Sequence, residues 1–176
     1  MVYLDNSATT KPCETAIKYI NNSLQNNWGN PSSLHILGLN AEIDVTKSRE
    51  AIAKTISARA DEIIFTGSGT EANNTAIMSV QNSRNKKIIT TKIEHPSVLQ
   101  TFKRLENFGF ETVYIDIDKE GIIDIAALEK ELDQNVALVS VMLVNNEIGT
   151  IQPITEISRL VRSHCPNAFA DSENVR

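Results

Sequence analysis

The sequence has few of the features that mark a specialised class. Its two cysteines, Cys13 and Cys165, lie too far apart to form a metal-ligand pair. Such sparse cysteine makes a reducing cytoplasm the default compartment. Lysine and arginine form no run, and the net charge is -5. Non-specific nucleic-acid binding is therefore not expected. The longest apolar run, Val136 to Val144 with one serine inside it, is too short to cross a bilayer. The opening "MVYLDNSATT" has neither the basic start nor the apolar stretch of a signal peptide. Repeats and low-complexity tracts are missing. So is a Gly-Lys-Ser/Thr at P-loop spacing, which removes the Walker-type nucleotide site.

What remains is an ordinary globular composition, 41% hydrophobic and 22% charged. The 176 residues suffice for one sizeable core. Short runs rich in Ile and Val alternate with longer helical patterns. The strand-like runs are "EIIFT" (62–66), "KIITT" (87–91), "TVYID" (112–116) and "VALVSVML" (136–143). Several are apolar at consecutive positions, as in strands covered on both faces. Helices are expected near 12–26, 34–57, 70–82, 96–107, 125–133 and 153–164, with Pro12, Pro96 and Pro153 in first turns. Over 34–57, residues Ile36, Leu39, Ile43, Ile52 and Ile56 fall roughly along one face. The alternation predicts an α/β fold of three layers, a mostly parallel sheet flanked by helices.

Such sheets bind ligands beyond the carboxyl ends of their strands. Three polar motifs sit there. "GSGTEANN" follows the first strand, "KIEHPSV" the second and "VNNEIGT" the fourth. Gly67 and Gly69 permit a positive φ and close ligand approach, and the helix after them offers free N–H groups and a positive dipole end. That combination suits a phosphate, with Thr70 adding a hydroxyl. The plain alternative is a strand-to-helix turn with Thr70 as its N-cap. Gly67-x-Gly69-x-x-Ala72 also fits a dinucleotide fingerprint, with Glu94 as the acidic residue for the ribose. His95 falls at the same sheet edge. An imidazole there can stack on a flat heteroaromatic ring or move protons. Asn145, Asn146 and Glu147 end the longest strand, and an asparagine amide can donate to a phenolate-like oxygen.

Together, and in this order, "YLDNSATT", "GNPSSLH", "EIIFTGSGTEANN", "KIEHPSV", "GFETVYIDIDKEGIIDIAALE" and "LVSVMLVNNEIGTIQPI" resemble the cysteine desulfurases of the NifS/IscS type. These belong to the class V aminotransferase group of pyridoxal-phosphate enzymes. The resemblance implies a fold type I large domain over 16–176, incomplete here, and an N-terminal segment, 1–15, near the active site. It implies pyridoxal 5'-phosphate as cofactor. Gly69 and Thr70 would hold its phosphate, His95 would stack on its ring and relay protons as the catalytic residue, and Asn146 would bond its phenolic oxygen. No metal is implied. The implied reaction takes sulfur from L-cysteine, giving L-alanine and an enzyme persulfide for iron–sulfur cluster assembly or tRNA thiolation. A homodimer and a scaffold or sulfur-acceptor protein would be its partners, and "GNPSSLH" would lie near the second subunit.

The sequence also departs from that pattern. None of His35, His95 and His164 is followed by lysine, so the family's Ser-x-His-Lys segment has no counterpart. The loop bearing the catalytic cysteine has none either, and Cys13 and Cys165 read as incidental or packing residues. Where the family's Asp-x-x-Gln should meet the pyridine nitrogen, "AFADSENVR" stands, in which Asp171 and Asn174 keep the spacing if one residue is deleted. The expectation is the N-terminal part of a desulfurase, inactive alone. The rival readings are selenocysteine lyase or another class V enzyme, a dinucleotide-binding dehydrogenase, and a catalytically dead partner subunit.

Overall fold

The computed structural model describes residues 2–172. The chain divides into two compact units, one ending at Phe65 and the other beginning at Thr66.

The first unit is built on two helices, α1 (Glu14–Asn26) and α2 (Ile36–Thr55), followed by a 3-10 turn at Ala60–Glu62. Pro12 precedes α1 rather than opening it, and Cys13 is the N-cap. The side chain of Asn27, just past α1, donates to Asp44 on α2. His35 caps α2 by accepting from the Gly38 N–H at 3.3 Å. The apolar stripe of α2 is not core here: Ile36, Leu39, Ile43, Ile52 and Ile56 are all exposed, and the helix buries Gly38, Ala41 and Ala53 instead. The strand expected at 62–66 does not form. Ile63 has an extended backbone, but Ile63–Phe65 joins no ladder among the described residues. The Arg49 guanidinium takes the Ile63 carbonyl and lies 4.9 Å from the Phe65 ring centroid. Extended chain without a partner strand satisfies its backbone elsewhere.

The second unit is an α/β sandwich. Its strands are β1 (Lys87–Thr91), β2 (Glu111–Ile115), β3 (Val136–Ser140) and β4 (Phe169–Asp171), in spatial order β2-β1-β3-β4 and parallel throughout. Four helices connect and cover them: α3 (Gly69–Met78), α4 (Pro96–Glu106), α5 (Ile125–Glu131) and α6 (Ile154–His164). β1 and β3 are buried at every position, which suits their consecutive apolar residues, Ile88–Ile89 and Val136–Val139, and the polar Lys87, Thr90, Thr91 and Ser140 are buried with them.

Side-chain alternation divides the core between the two faces. Ile88 and Leu138 pack with Ile77, Val98, Phe102 and Leu105 from α3 and α4. Ile89 and Val139 pack with Leu128, Ile157 and Val161 from α5 and α6. The β1–β3 register jumps between Lys87↔Val136 and Ile88↔Leu138. The extra residue, Ala137, is a bulge that brings Leu138 onto the Ile88 face. Cys165 is buried in the second cluster, as a packing cysteine should be.

The element ends have identifiable causes. β3 stops at Ser140, short of the expected 143: the Val141 N–H completes the pairing with β4, and the Met142 N–H then turns to a side chain instead of β1. Val141 donates to the Asp171 carbonyl at 3.1 Å, and Met142 donates to the Glu94 carboxylate at 3.0 Å. α3 ends at Met78 rather than 82. Ser79, Val80 and Gln81 donate three residues back, tightening the chain into a 3-10 pattern. Pro96 opens α4 as expected, whereas Pro153 is the N-cap of α6. At the amino end of β1 the buried Lys87 ammonium meets Glu131 at 2.8 Å and Asp133 at 3.2 Å.

Candidate functional site

The candidate residues belong to three segments of the second unit. The first is the start of α3. Its N-cap is Ser68, not Thr70: the Ser68 hydroxyl accepts from the Glu71 N–H at 3.2 Å. The Glu71 carboxylate folds back onto the Gly67 N–H at 2.6 Å. The helix entrance is thus closed around Gly67 and Glu71. The N–H groups of Gly69 and Thr70 donate to nothing among the described residues. These are orphan donors at a helix N-terminus, where an anion is favoured. Neither Gly67 nor Gly69 has a positive φ, so the conformational freedom they permit is not used here. The role Gly69 does fill is spatial. A Cβ there would meet nothing within 4 Å, so the backbone is open to approach.

The second segment runs from the end of β1 into α4. His95 is the N-cap of α4, and its Nδ1 accepts from the Ser97 N–H at 3.1 Å. The ring is half-buried. Glu94, its neighbour, is only 4% exposed. Glu94 Oε1 accepts from the Thr91 hydroxyl at 2.7 Å and from the Met142 N–H at 3.0 Å. This carboxylate therefore ties the end of β1 to the end of β3. It is not presented to a ribose, which removes the support the dinucleotide reading had.

The third segment is the loop after β3. Asn145 organises it. Its amide donates to the Ile93 carbonyl at 3.0 Å, and its Oδ1 accepts from the N–H groups of Glu147 and Ile148 at 2.9 and 3.0 Å. The loop closes on itself where the Asn145 N–H donates to the Thr150 carbonyl at 2.9 Å. A second turn braces it. Gln152 accepts from the Ile123 N–H at 3.0 Å and donates to the Gly121 carbonyl at 2.7 Å. Gly121 has φ 81°, and a Cβ there would stand 2.7 Å from Ile148 Cδ1 and 3.0 Å from Thr150 Oγ1. With Asn145 committed to this frame, Asn146 is half-buried and its amide has no hydrogen-bond partner among the described residues.

His95 joins the three segments. It lines a cleft of about 430 Å³ together with Thr70, Asn74, Ser97 and Arg104. It also lines one of about 510 Å³ together with Glu94, Asn145, Asn146 and Glu147. The sequence-predicted Thr70, His95 and Asn146 therefore border two depressions that share one imidazole. Asp171 ends β4 with its carboxylate 2.9 Å from the Ser140 hydroxyl, which donates to it. Asn174 lies outside the described residues. No group of three or more metal-ligating side chains occurs among the described residues, and none of their helices is long and apolar enough to cross a membrane.

Sequence reasoning missed four supporting residues: Ser68, Asn73, Ser97 and Gln152. Ser68 was legible, since a serine three residues before Glu71 is a capping pattern. The other three act across 24 or more residues of sequence and leave no local signal.

Comparison with known proteins places this architecture. The model of the family described as "Aminotransferase class-V" matches residues 2–172. A "NifS/IcsS protein homolog" of Lactobacillus delbrueckii subsp. bulgaricus is 45% identical over 179 residues, covering 100% of this chain and 46% of that protein. "Cysteine desulfurase IscS" of Dictyoglomus turgidum is 43% identical over 166 residues, covering 93% of this chain and 42% of that protein. Among solved structures, a "NifS-like protein" superposes with a TM-score of 0.93 at 35% identity, over 98% of this chain and 48% of its own. "SspA in complex with cysteine" gives 0.90 at 31% identity, over 97% of this chain and 49% of its own. The chain thus spans less than half the length of each of these relatives. From its first described residue to its last, it belongs to the class V aminotransferase family.

Proposed function

We propose that this chain forms the phosphate- and ring-binding face of a pyridoxal-phosphate-dependent cysteine desulfurase, acting on L-cysteine to give L-alanine and a persulfide. The observation that carries the proposal is the shared imidazole: His95 borders both the Thr70 cleft and the Asn146 cleft. One phosphate and one flat ring, bridged by a histidine, match that arrangement in size and chemistry. The fit is supported by the open approach at Gly69, the two orphan N–H donors and the unpartnered Asn146 amide.

Each residue then has a physical task. The Gly69 and Thr70 N–H groups and the Thr70 hydroxyl hold the cofactor phosphate against the positive end of α3. His95 covers the ring face and excludes water from it. Asn146 donates to the phenolic oxygen, while Asn145 holds the loop that aims it. When bound, the cofactor supplies the electron sink for bond cleavage next to the substrate amine. A lysine to hold the cofactor covalently and a cysteine to receive the sulfur are not identifiable among these 176 residues. The reading carries with it a homodimer, a cytoplasmic setting, and delivery of sulfur to a scaffold or acceptor protein.

The test uses pyridoxine 5'-phosphate, which lacks the aldehyde and so cannot react with surface lysines. Amide NMR of the full chain should show its binding, with shifts at Gly69, Thr70, His95 and Asn146. Thr70→Val and Asn146→Ala should each weaken it about tenfold, the loss of one charge-assisted or buried hydrogen bond. Response to NADH with none to pyridoxine 5'-phosphate would overturn the proposal.

A further inference from the structure

His95 does not meet the clefts as a free imidazole. One edge of the ring is committed to α4. The Ser97 N–H lies 3.1 Å from Nδ1, and a backbone N–H can only donate. Nδ1 is therefore the lone-pair nitrogen, and the proton of the neutral ring sits on Nε2. The Ser97 hydroxyl reinforces this from 2.7 Å, closer than the backbone donor. Facing a lone pair, that hydroxyl must donate too. Its oxygen at the same time accepts from Asn73, whose Nδ2 donates to Ser97 Oγ at 2.8 Å. The reverse orientation of the Asn73 amide would draw the hydroxyl proton to Oδ1. Oxygen and nitrogen lone pairs would then face each other at 2.7 Å, so the chain of donors runs one way.

Ser97 is buried, and Asn73 lies three residues beyond Thr70 on the same face of α3. A second tie runs beside the first. The Thr101 hydroxyl shares its proton between the Ser97 carbonyl at 2.7 Å and Asn74 Oδ1 at 2.8 Å, and the Asn74 amide donates to the Thr70 carbonyl at 2.7 Å. The helix that offers its N-terminus to an anion also sets where the proton of His95 resides.

We propose that Ser97, supported by Asn73, is a positioning residue that fixes His95 as its Nε2–H tautomer, so that the imidazole meets its ligand as a hydrogen-bond donor and stacking surface rather than as a base. To take up a proton the ring would have to place an N–H at Nδ1. The hydroxyl would then have to turn away, and a backbone N–H would be left facing another N–H. What the donor meets rests on the desulfurase reading; the tautomer does not.

The experiment labels the full chain with 15N-histidine and records long-range 1H–15N spectra at about pH 8, where a histidine of ordinary acidity is neutral. His95→Gln assigns the signals. Wild type should show His95 as one tautomer, with Nδ1 unprotonated and hydrogen-bonded. In Ser97→Ala the hydroxyl is lost and the backbone N–H remains, so Nδ1 should stay unprotonated but shift part of the way toward an unbonded nitrogen. Asn73→Ala should shift it in the same direction by less, and Ser97→Thr should restore the wild-type pattern. A protonated Nδ1 in wild type would overturn the proposal. So would unchanged His95 signals in Ser97→Ala with its amide spectrum intact. Should that variant not fold, Asn73→Ala and Ser97→Thr decide in the same way. Pyridoxine 5'-phosphate binding is measured separately. If the tautomer is as stated and binding is absent, the desulfurase reading fails and the positioning role stands.

Discussion

Two adjacent asparagines should respond in opposite ways to the same substitution. Asn145 is 6% exposed; it donates to the Ile93 carbonyl and accepts from the Glu147 and Ile148 N–H groups, three bonds to backbone, beside a weak one from its amide to Met142 Sδ at 3.4 Å. A net value of about 1 kcal/mol per bond gives about 3 kcal/mol for all three. Glu147 and Ile148 are exposed, so their freed N–H groups can turn to water. That lowers the expected loss for Asn145→Ala to about 2 kcal/mol, most of it from the inter-segment bond and the packing of a buried side chain. Asn146→Ala breaks no hydrogen bond and should stay within about 0.5 kcal/mol of wild type. The assay is urea unfolding of the full chain followed by far-UV circular dichroism, comparing midpoints at constant slope. Pyridoxine 5'-phosphate binding is measured on the same samples. Asn146→Ala should lose affinity while keeping its midpoint. Asn145→Ala should lose midpoint first and affinity through the displaced loop. Equal midpoints for the two variants would refute the assignment of Asn145 as frame and Asn146 as ligand.

Further outcomes follow from the same structure. Burial pulls the Lys87 ammonium down, but Glu131 and Asp133 outweigh it and hold it above its ordinary value. The Asn135 N–H, opposed by some burial and aided by Lys87, holds Asp133 below the usual carboxylate range. Lys87→Met should therefore cost about 1–3 kcal/mol at neutral pH, discounted from a fully buried pair because both carboxylates are half-exposed. A raised lysine contributes below its unfolded pKa and loses that contribution as pH rises through the folded one. A depressed aspartate loses its contribution as pH falls through its folded value. The gap between variant and wild-type urea midpoints should accordingly close at strongly alkaline and at strongly acid pH, and a pH-independent gap would count against the ion pair. Gly121→Ala forces a side chain into φ 81° and within 2.7 Å of Ile148 Cδ1. A loss of about 1–3 kcal/mol in thermal unfolding is expected, with weaker pyridoxine 5'-phosphate binding through the displaced loop. The 176-residue chain with L-cysteine, pyridoxal phosphate and reductant should release no sulfide above a cofactor-only control. Steady turnover would mean that some lysine of this chain serves the cofactor after all.

The limits of reading this sequence are limits of range along the chain. β1 and β3 were legible because a strand buried on both faces carries apolar residues at consecutive positions, Ile88–Ile89 and Val136–Val139 here. "EIIFT" satisfies the same rule and is no strand, because a strand also needs a neighbour to pair with. Ile64 is 75% exposed, and the Ile63 carbonyl accepts from Arg49 rather than from a neighbouring strand. The α2 stripe fails for a related reason: periodicity identifies a face but not whether anything covers it. The site divides along the same line. His95 and Asn146 were legible as candidates because they stand beyond the carboxyl ends of β1 and β3, where a parallel sheet gathers polar motifs, and Gly69 and Thr70 because a glycine-rich turn opens a helix there. Ser97, Asn73 and Gln152 were not, since a serine and an asparagine 24 residues apart carry no mark of their hydrogen bond. Yet these contacts decide what the recognised residues can do. Glu94 looked like a ribose ligand by spacing alone, and its bond to the Met142 N–H instead makes it the clasp between β1 and β3. His95 looked capable of either stacking or proton transfer. The lone pair it gives to Ser97 leaves the ring a donor at the cleft, and that distinction came from a contact two residues away, backed by one on another helix.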